Sequence, residues 1–218
     1  MGYEFDWSAI NYPEVWLRAA GITLTYAICT IIGGLILGVI GGMLMLSRFT
    51  AVRWIVSGYV QFFRCTPILV QIIWFYYALP ILTGYNISSW IAAGVGLTLY
   101  MGAFSTEIFR GGVISIDKGQ WNAGRALGMN YFQLMRYIIL PQATRRMIPP
   151  FANQAILQLK NTSLLYVLAV PDLMYSSYQL TARTFRPLET YTFVAILYFL
   201  LLYPLTLLAK RLEKSNNT

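Results

Sequence analysis

Residues 115–143 read SIDKGQWNAGRALGMNYFQLMRYIILPQA. This stretch lies between two long apolar segments and is the longest polar interruption in the chain. Asp117 followed by Gln120 reads as a helix start, because the Asp117 side chain can accept the free N–H groups of a first turn. Gly128 reads as the stop, since Gly tolerates the left-handed backbone of a helix end. Asn130 followed by Gln133 repeats the start signal, and Pro141 reads as the close of a second helix. The stretch therefore predicts two short helices joined at Gly128. The first shows the small residues Ala123, Gly124 and Ala126, over which a partner surface can approach closely. A structured helical pair in a loop between apolar segments points to docking.

Composition sets the surroundings of that loop. The chain has 218 residues, 57% hydrophobic and 11% charged. The charged share is less than half of the roughly 25% normal in soluble domains. Sixteen basic and eight acidic residues would not cover so much apolar surface in a soluble molecule, so one membrane domain is expected. The net charge of +8 is concentrated in particular loops, as the positive-inside rule requires, and accompanies no nucleic-acid motif. His is absent, which removes the commonest catalytic base and metal ligand. Cys29 and Cys65 lie in apolar segments without metal spacing and read as small packing residues. The acidic start and the length of the first apolar run argue against a signal peptide.

The expected architecture is all-α, with five transmembrane helices at about 19–46, 54–82, 90–110, 147–170 and 190–209. Residues 1–18 hold Glu4, Asp6 and Glu14 among aromatics and read as an outer-face interfacial segment. In the first span Gly34, Gly38 and Gly42 recur every four residues, so one face can approach a second helix closely. A partner within the chain is the first reading and a subunit interface the second. Pro67 predicts a kink or break in the second span. Arg64 reads first as an anchor near the inner surface and second as a substrate contact, and Glu107 with Arg110 as a structural pair one helical turn apart. Gln71 is free to point into a cavity. Residues 173–189 read as an outer-face loop with a short helix.

Charge counting orients the chain. Arg48, Arg53, Arg110, Lys118, Arg125, Arg136, Arg145, Arg146, Lys210, Arg211 and Lys214 fall in one set of alternating loops. Only Arg18, Arg183 and Arg186 fall in the other. The loop of 113–145 and the tail of 213–218 are therefore expected in the cytoplasm and the N-terminus outside. Between 153 and 163 lie Asn153, Gln154, Gln158, Lys160, Asn161, Thr162 and Ser163. So many polar side chains cannot face lipid. They line a translocation path or hydrogen-bond between helices.

At this point the residues resemble a known family. Ala123, Gly128 and Ile138-Ile139-Leu140-Pro141 look like the loop of ABC-importer permeases in which a Glu-Ala-Ala triplet precedes Gly and a hydrophobic-Leu-Pro end. Phe63-Arg64-Cys65-Thr66-Pro67-Ile68-Leu69-Val70-Gln71 is similar to the corresponding stretch of polar amino-acid permeases, the histidine/glutamine/glutamate type. Glu107-Ile108-Phe109-Arg110-Gly111-Gly112 and Lys160-Asn161-Thr162-Ser163-Leu164 are similar as well. The resemblance runs from about Gly21 to the C-terminus. Asn122 stands where the family usually has the Glu of its triplet, and Cys65 where it usually has Gly.

The resemblance implies a type I ABC-importer permease fold in a bacterial inner membrane. It implies two permease subunits, this chain pairing with a paralogue or itself, and two cytoplasmic ATP-binding subunits. A periplasmic or surface-attached binding protein would deliver the substrate. ATP and Mg would be bound by the ATPase, since this chain has no phosphate-binding loop of its own. No cofactor, metal or catalytic residue is expected here. Docking is expected through Asn122, Ala123, Gly124, Arg125 and Gly128. The substrate residues expected are Asn161, Thr162, Ser163, Gln158, Gln71 and Lys160. In this subfamily Asp is also common at the position of Asn161, and a neutral residue there favours a neutral or acidic amino acid, or a related zwitterion such as an opine or compatible solute. The competing classes are a stand-alone ion-coupled carrier or channel and an intramembrane enzyme. The first lacks a visible internal repeat, and the second any Ser or Asp with a base or metal partner.

Overall fold

The computed structural model describes residues 4–216. Positions 1–3 of the expected outer segment and 217–218 of the expected tail lie outside the described residues. Among the described residues all regular structure is helical. A short 3-10 turn, Trp7–Ile10, precedes α1 (Pro13–Met45), which starts with Pro in its first turn and Glu14 beside the positive helix end. α2 (Thr50–Cys65) and α3 (Ile68–Thr83) follow, then α4 (Ser89–Ile114). α5 (Lys118–Ala126) and α6 (Tyr131–Leu134) occupy the loop. A π turn, Met135–Ile139, joins α6 to α7 (Leu140–Asn161), and a 3-10 turn, Thr162–Leu168, continues it. α8 (Leu173–Thr184) and α9 (Pro187–Asn216) complete the chain.

The pair α1 and α4 forms the centre. A Cβ at Gly34 would lie 2.2 Å from Met101, one at Gly38 2.1 Å from Ser105, and one at Gly42 2.4 Å from Phe109. Gly41 meets Thr106 in the same way. The glycine row is therefore an intrachain seam in which backbones approach as no side chain would allow. The opposite face of α1 carries Ile28, Ile32, Ile36 and Ile40, all exposed, a ridge with the period expected of a lipid-facing surface.

The second expected span is broken. Thr66 is extended before Pro67, as the proline ring demands, and α2 and α3 meet at 106°. Pro67 has no N–H to offer the carbonyl of Phe63, four residues back. Gln71 replaces it: its Nε2 donates to the Phe63 carbonyl at 2.9 Å and to the Thr66 carbonyl at 3.0 Å. Gln71 is itself buried and serves the backbone rather than a cavity.

Three helices are long and apolar enough to cross a membrane, Pro13–Met45, Ser89–Ile114 and Pro187–Glu213, with a fourth span if the bent pair counts as one. The expected span at 147–170 coincides with most of α7 and the 3-10 turn, which carry too many polar residues to qualify by composition. Pro141 does not close a helix. The wide turn before it, where the Leu140 N–H bonds back to the Met135 carbonyl, carries the chain into Pro141 in the first turn of α7, where a missing donor costs nothing. α9 runs on to Asn216 through the first part of the expected tail. Cys29 and Cys65 are both exposed rather than packed, because the face of α1 away from the glycine seam carries Cys29.

Candidate functional site: the docking loop and a polar face on α4

The loop is built as two capped helices. Asp117 Oδ1 accepts from the Gly119 N–H at 2.6 Å. At the far end Gly128 takes a φ of +74°. Its N–H bonds the Arg125 carbonyl at 2.9 Å, and the Met129 N–H bonds the Gly124 carbonyl at 3.1 Å, which is the Schellman closure. Asn130 and Gln133 then exchange side-chain-to-backbone bonds, each 2.9 Å, a complete capping box. The loop is fixed to the body from beneath. Leu134, Ile139, Ala143 and Met147 pack with Phe109, Val113 and Ile116, and Arg146 donates to the Ser115 carbonyl.

Of the five expected docking residues, Asn122, Ala123, Arg125 and Gly128 are exposed. Gly124 is not. It is buried, and a Cβ there would sit 2.2 Å from Leu134; its smallness lets α5 lie on α6. The apolar surface beside the exposed four is larger than the sequence suggested, with Leu127, Tyr131, Phe132 and Tyr137 each at least 60% exposed.

The six expected substrate residues divide. Gln158 is fully buried, and its Nε2 donates to Thr30 Oγ1 at 3.0 Å and the Leu97 carbonyl at 2.9 Å, tying α7 to α1 and α4. Thr162 is buried and donates to the Leu159 carbonyl. Gln71 closes the break described above. Asn161, Lys160 and Ser163 lie at the accessible end of α7, with the Ser163 hydroxyl donating to the Lys160 carbonyl at 2.8 Å. The structure thus brings together three of the six.

It adds Tyr100 and Phe104, which the sequence reading missed, and joins them to Arg64 and Glu107. Asn161 interacts with the Tyr100 side chain. The Tyr100 ring lies 4.7 Å from that of Phe104, and the Arg64 guanidinium lies 5.5 Å over Phe104. Arg64 also acts on Glu107 through charge, and Glu107 accepts from Arg110 Nε at 3.1 Å. Tyr100, Phe104 and Glu107 are spaced by four and three, on one face of α4. The strip is part-exposed along its length, with Arg64 exposed. Charged side chains are excluded from hydrocarbon, which sets this strip apart from the isoleucine ridge of α1. The i, i+4, i+7 spacing of Tyr100, Phe104 and Glu107 was the signal available in the sequence. Among the described residues no group of His, Cys, Asp and Glu could hold a metal ion.

The chain matches known proteins over nearly its whole length. Residues 31–217 match the family described as the binding-protein-dependent transport system inner membrane component. The glutamine transport system permease protein GlnP of Escherichia coli is 37% identical over 214 residues, 97% of each chain. The arginine transport system permease protein ArtQ of Bacillus subtilis is 35% identical over 98% of this chain and 97% of its own. The glutamate/aspartate import permease protein GltK of Escherichia coli is 34% identical over 97% and 98%. Among solved structures, an amino acid ABC transporter crystallised with histidines superposes with a TM-score of 0.92 at 28% identity, covering 99% of this chain and 100% of that one. The MetNI methionine ABC transporter, in an inward-facing form, shares the fold at a TM-score of 0.79 and 21% identity, over 94% and 99%. In sequence and in fold, then, this chain belongs to the binding-protein-dependent transport system inner membrane components.

Proposed function

We propose that this chain is the permease subunit of an ATP-driven importer for a polar amino acid in a bacterial inner membrane. It crosses the membrane five times with its N-terminus outside. The bent α2–α3 pair forms one crossing, and α7 with its 3-10 turn forms another, shielded from lipid by neighbouring helices and a second permease. Cytoplasmic ATP-binding subunits dock on Asn122, Ala123, Arg125 and Gly128, with Leu127 and Phe132 beside them. Those partners bind ATP and Mg and carry out hydrolysis; this chain performs no chemistry. A periplasmic or surface-attached binding protein loads the outer face.

The observation that carries the reading is the strip from Asn161 through Tyr100 and Phe104 to Arg64 and Glu107. Its partly exposed charges need a water-filled path or a partner subunit. A zwitterion needs donors for its carboxylate and acceptors for its amine. Asn161 offers both, Arg64 and Lys160 offer donors, and Glu107 an acceptor. The relatives named for glutamine, arginine and glutamate/aspartate have in common an α-amino-acid cargo. A cation at Arg64 and a neutral Asn161 favour a neutral or acidic side chain, or a zwitterion of opine or compatible-solute type. The rocking of two permeases about this site, driven through α5, moves it between the two sides.

The test replaces Asn161 with Leu. Uptake by the reconstituted complex is expected to fall at least tenfold while co-purification with the ATPase is unchanged. Uptake at the wild-type rate moves the site away from Asn161.

A further inference from the structure

A second polar feature opens where the ends of α1, the start of α2 and the end of α4 meet. It is a crevice of about 550 Å³ lined by Met45, Leu46, Thr50, Arg53, Trp54, Ser57, Arg110 and Ile114. That volume is within the ~300–1,000 Å³ of small-ligand sites. Its lining mixes the polar Arg53, Arg110, Thr50 and Ser57 with aliphatic side chains and an indole. Among the described residues no acidic side chain lines it.

Arg110 is already engaged by Glu107. Arg53 is not: among the described residues it makes no ion pair, and its hydrogen bond is to Thr50 Oγ1 at 3.3 Å. Arg48, just before α2, stacks on Phe49 and also makes no ion pair among the described residues. Around the rim, Trp54 is 76% exposed and Ile55 74%. Ile114 and Phe49 are exposed as well. An indole and apolar side chains beside unpaired arginines are the pattern of a membrane–water interface. Guanidinium groups bind phosphate oxygens in paired geometry.

We infer that this crevice binds the phosphate headgroup of an anionic phospholipid from the cytoplasmic leaflet. Arg53 meets the phosphate, Thr50 and Ser57 offer hydroxyls to its oxygens, and Trp54, Ile114 and Met45 flank the upper acyl chain. The inference rests on the placement of this end of the helices at the inner membrane surface. A lipid in this crevice would touch α1, α2 and α4 together, and so brace the base of the glycine seam.

The test uses the complete transporter in bilayers of phosphatidylcholine containing brominated phosphatidylglycerol or brominated phosphatidylcholine. Fluorescence quenching at Trp54 is isolated by subtracting a Trp54→Phe variant. Phosphatidylglycerol is expected to bind at this position about fivefold more strongly, the ratio that roughly 1 kcal/mol per basic side chain gives. Arg53→Gln and Ser57→Glu should each erase the preference, and Arg53→Lys should keep it. Equal quenching by the two lipids overturns the inference. So does loss of the preference in millimolar inorganic phosphate, which marks a soluble-anion site. Quenching by neither lipid overturns it too, and shows the crevice covered by a protein chain. Substrate uptake measured on the same samples reports separately on the transport reading.

Discussion

Replacing Gly38 with Ala tests the seam on which the fold depends. The new Cβ would lie 2.1 Å from Ser105 Cβ, 2.8 Å from the Ser105 carbonyl carbon and 3.0 Å from its Cα. Ordinary contact is 3.4–4 Å, and two of those three atoms are backbone, so no rotamer change relieves the clash. α1 and α4 must part by more than an ångström, which also loosens Gly34 on Met101 and Gly42 on Phe109. Overpacking of this kind costs about 1–3 kcal/mol, and more where the backbone cannot yield. Helix propensity returns about 1 kcal/mol to Ala, leaving a net loss of up to about 2 kcal/mol. Gly21, on the same helix, has nothing within 4 Å of its Cβ position, so Gly21→Ala should show the propensity gain alone. At about 2–4 °C per kcal/mol for a chain of this length, thermal unfolding in detergent should fall by up to roughly 8 °C for the first and rise slightly for the second. A Gly38→Ala protein as stable as Gly21→Ala would refute the seam.

Three further outcomes follow from particular contacts. Gln71→Met keeps the side-chain size but leaves the buried Phe63 carbonyl without a donor, at about 1–3 kcal/mol; amide exchange should rise around residues 62–72, and wild-type exchange would contradict the role. Gly128→Val forces a β-branched residue into a left-handed backbone, at roughly 1–2 kcal/mol or more; it should uncouple hydrolysis from uptake or block ATPase association, whereas intact coupled uptake would remove α5 from the coupling. Asp172, the N-cap of α8 that accepts from the Tyr175 N–H at 2.8 Å, is fully buried, and burial pushes its carboxyl from an ordinary 3.8 up to about 7. The folded chain therefore holds a proton that the unfolded chain releases, so this stability contribution is full below pH 3.8 and lost as pH rises through about 7. Asp172→Asn keeps the cap and should flatten the unfolding temperature between pH 4 and 8; a slope like that of the wild type would contradict the assignment.

The legible parts of the fold were those with a local cause. Gly34, Gly38 and Gly42 announce a close seam because a spacing of four keeps one helix face. Asp117, Gly128 and Asn130 announce caps because each satisfies backbone groups within four residues. Pro67 announces a break, though its 106° angle depends on what α2 and α3 pack against. Pro141 misled for a related reason: a single wide turn upstream absorbs its effect, and no residue type marks a π turn. The polar run of 153–163 spreads over every face of a helix, so composition could not separate Gln158, which joins three helices, from Asn161, which meets Tyr100. Gln71 looked free because its role depends on a carbonyl orphaned eight residues earlier. Arg64 and Glu107 looked like separate anchors because their proximity spans two helices.

The most direct measurement is ATP hydrolysis by this chain reconstituted with its ATP-binding subunits and cognate binding protein, screened across amino acids. One polar amino acid is expected to stimulate hydrolysis and to be taken up in step with it, and Asn161→Leu to remove both. An ATP-binding subunit that fails to associate, or uptake that proceeds without one, would contradict the account and favour a carrier that works alone.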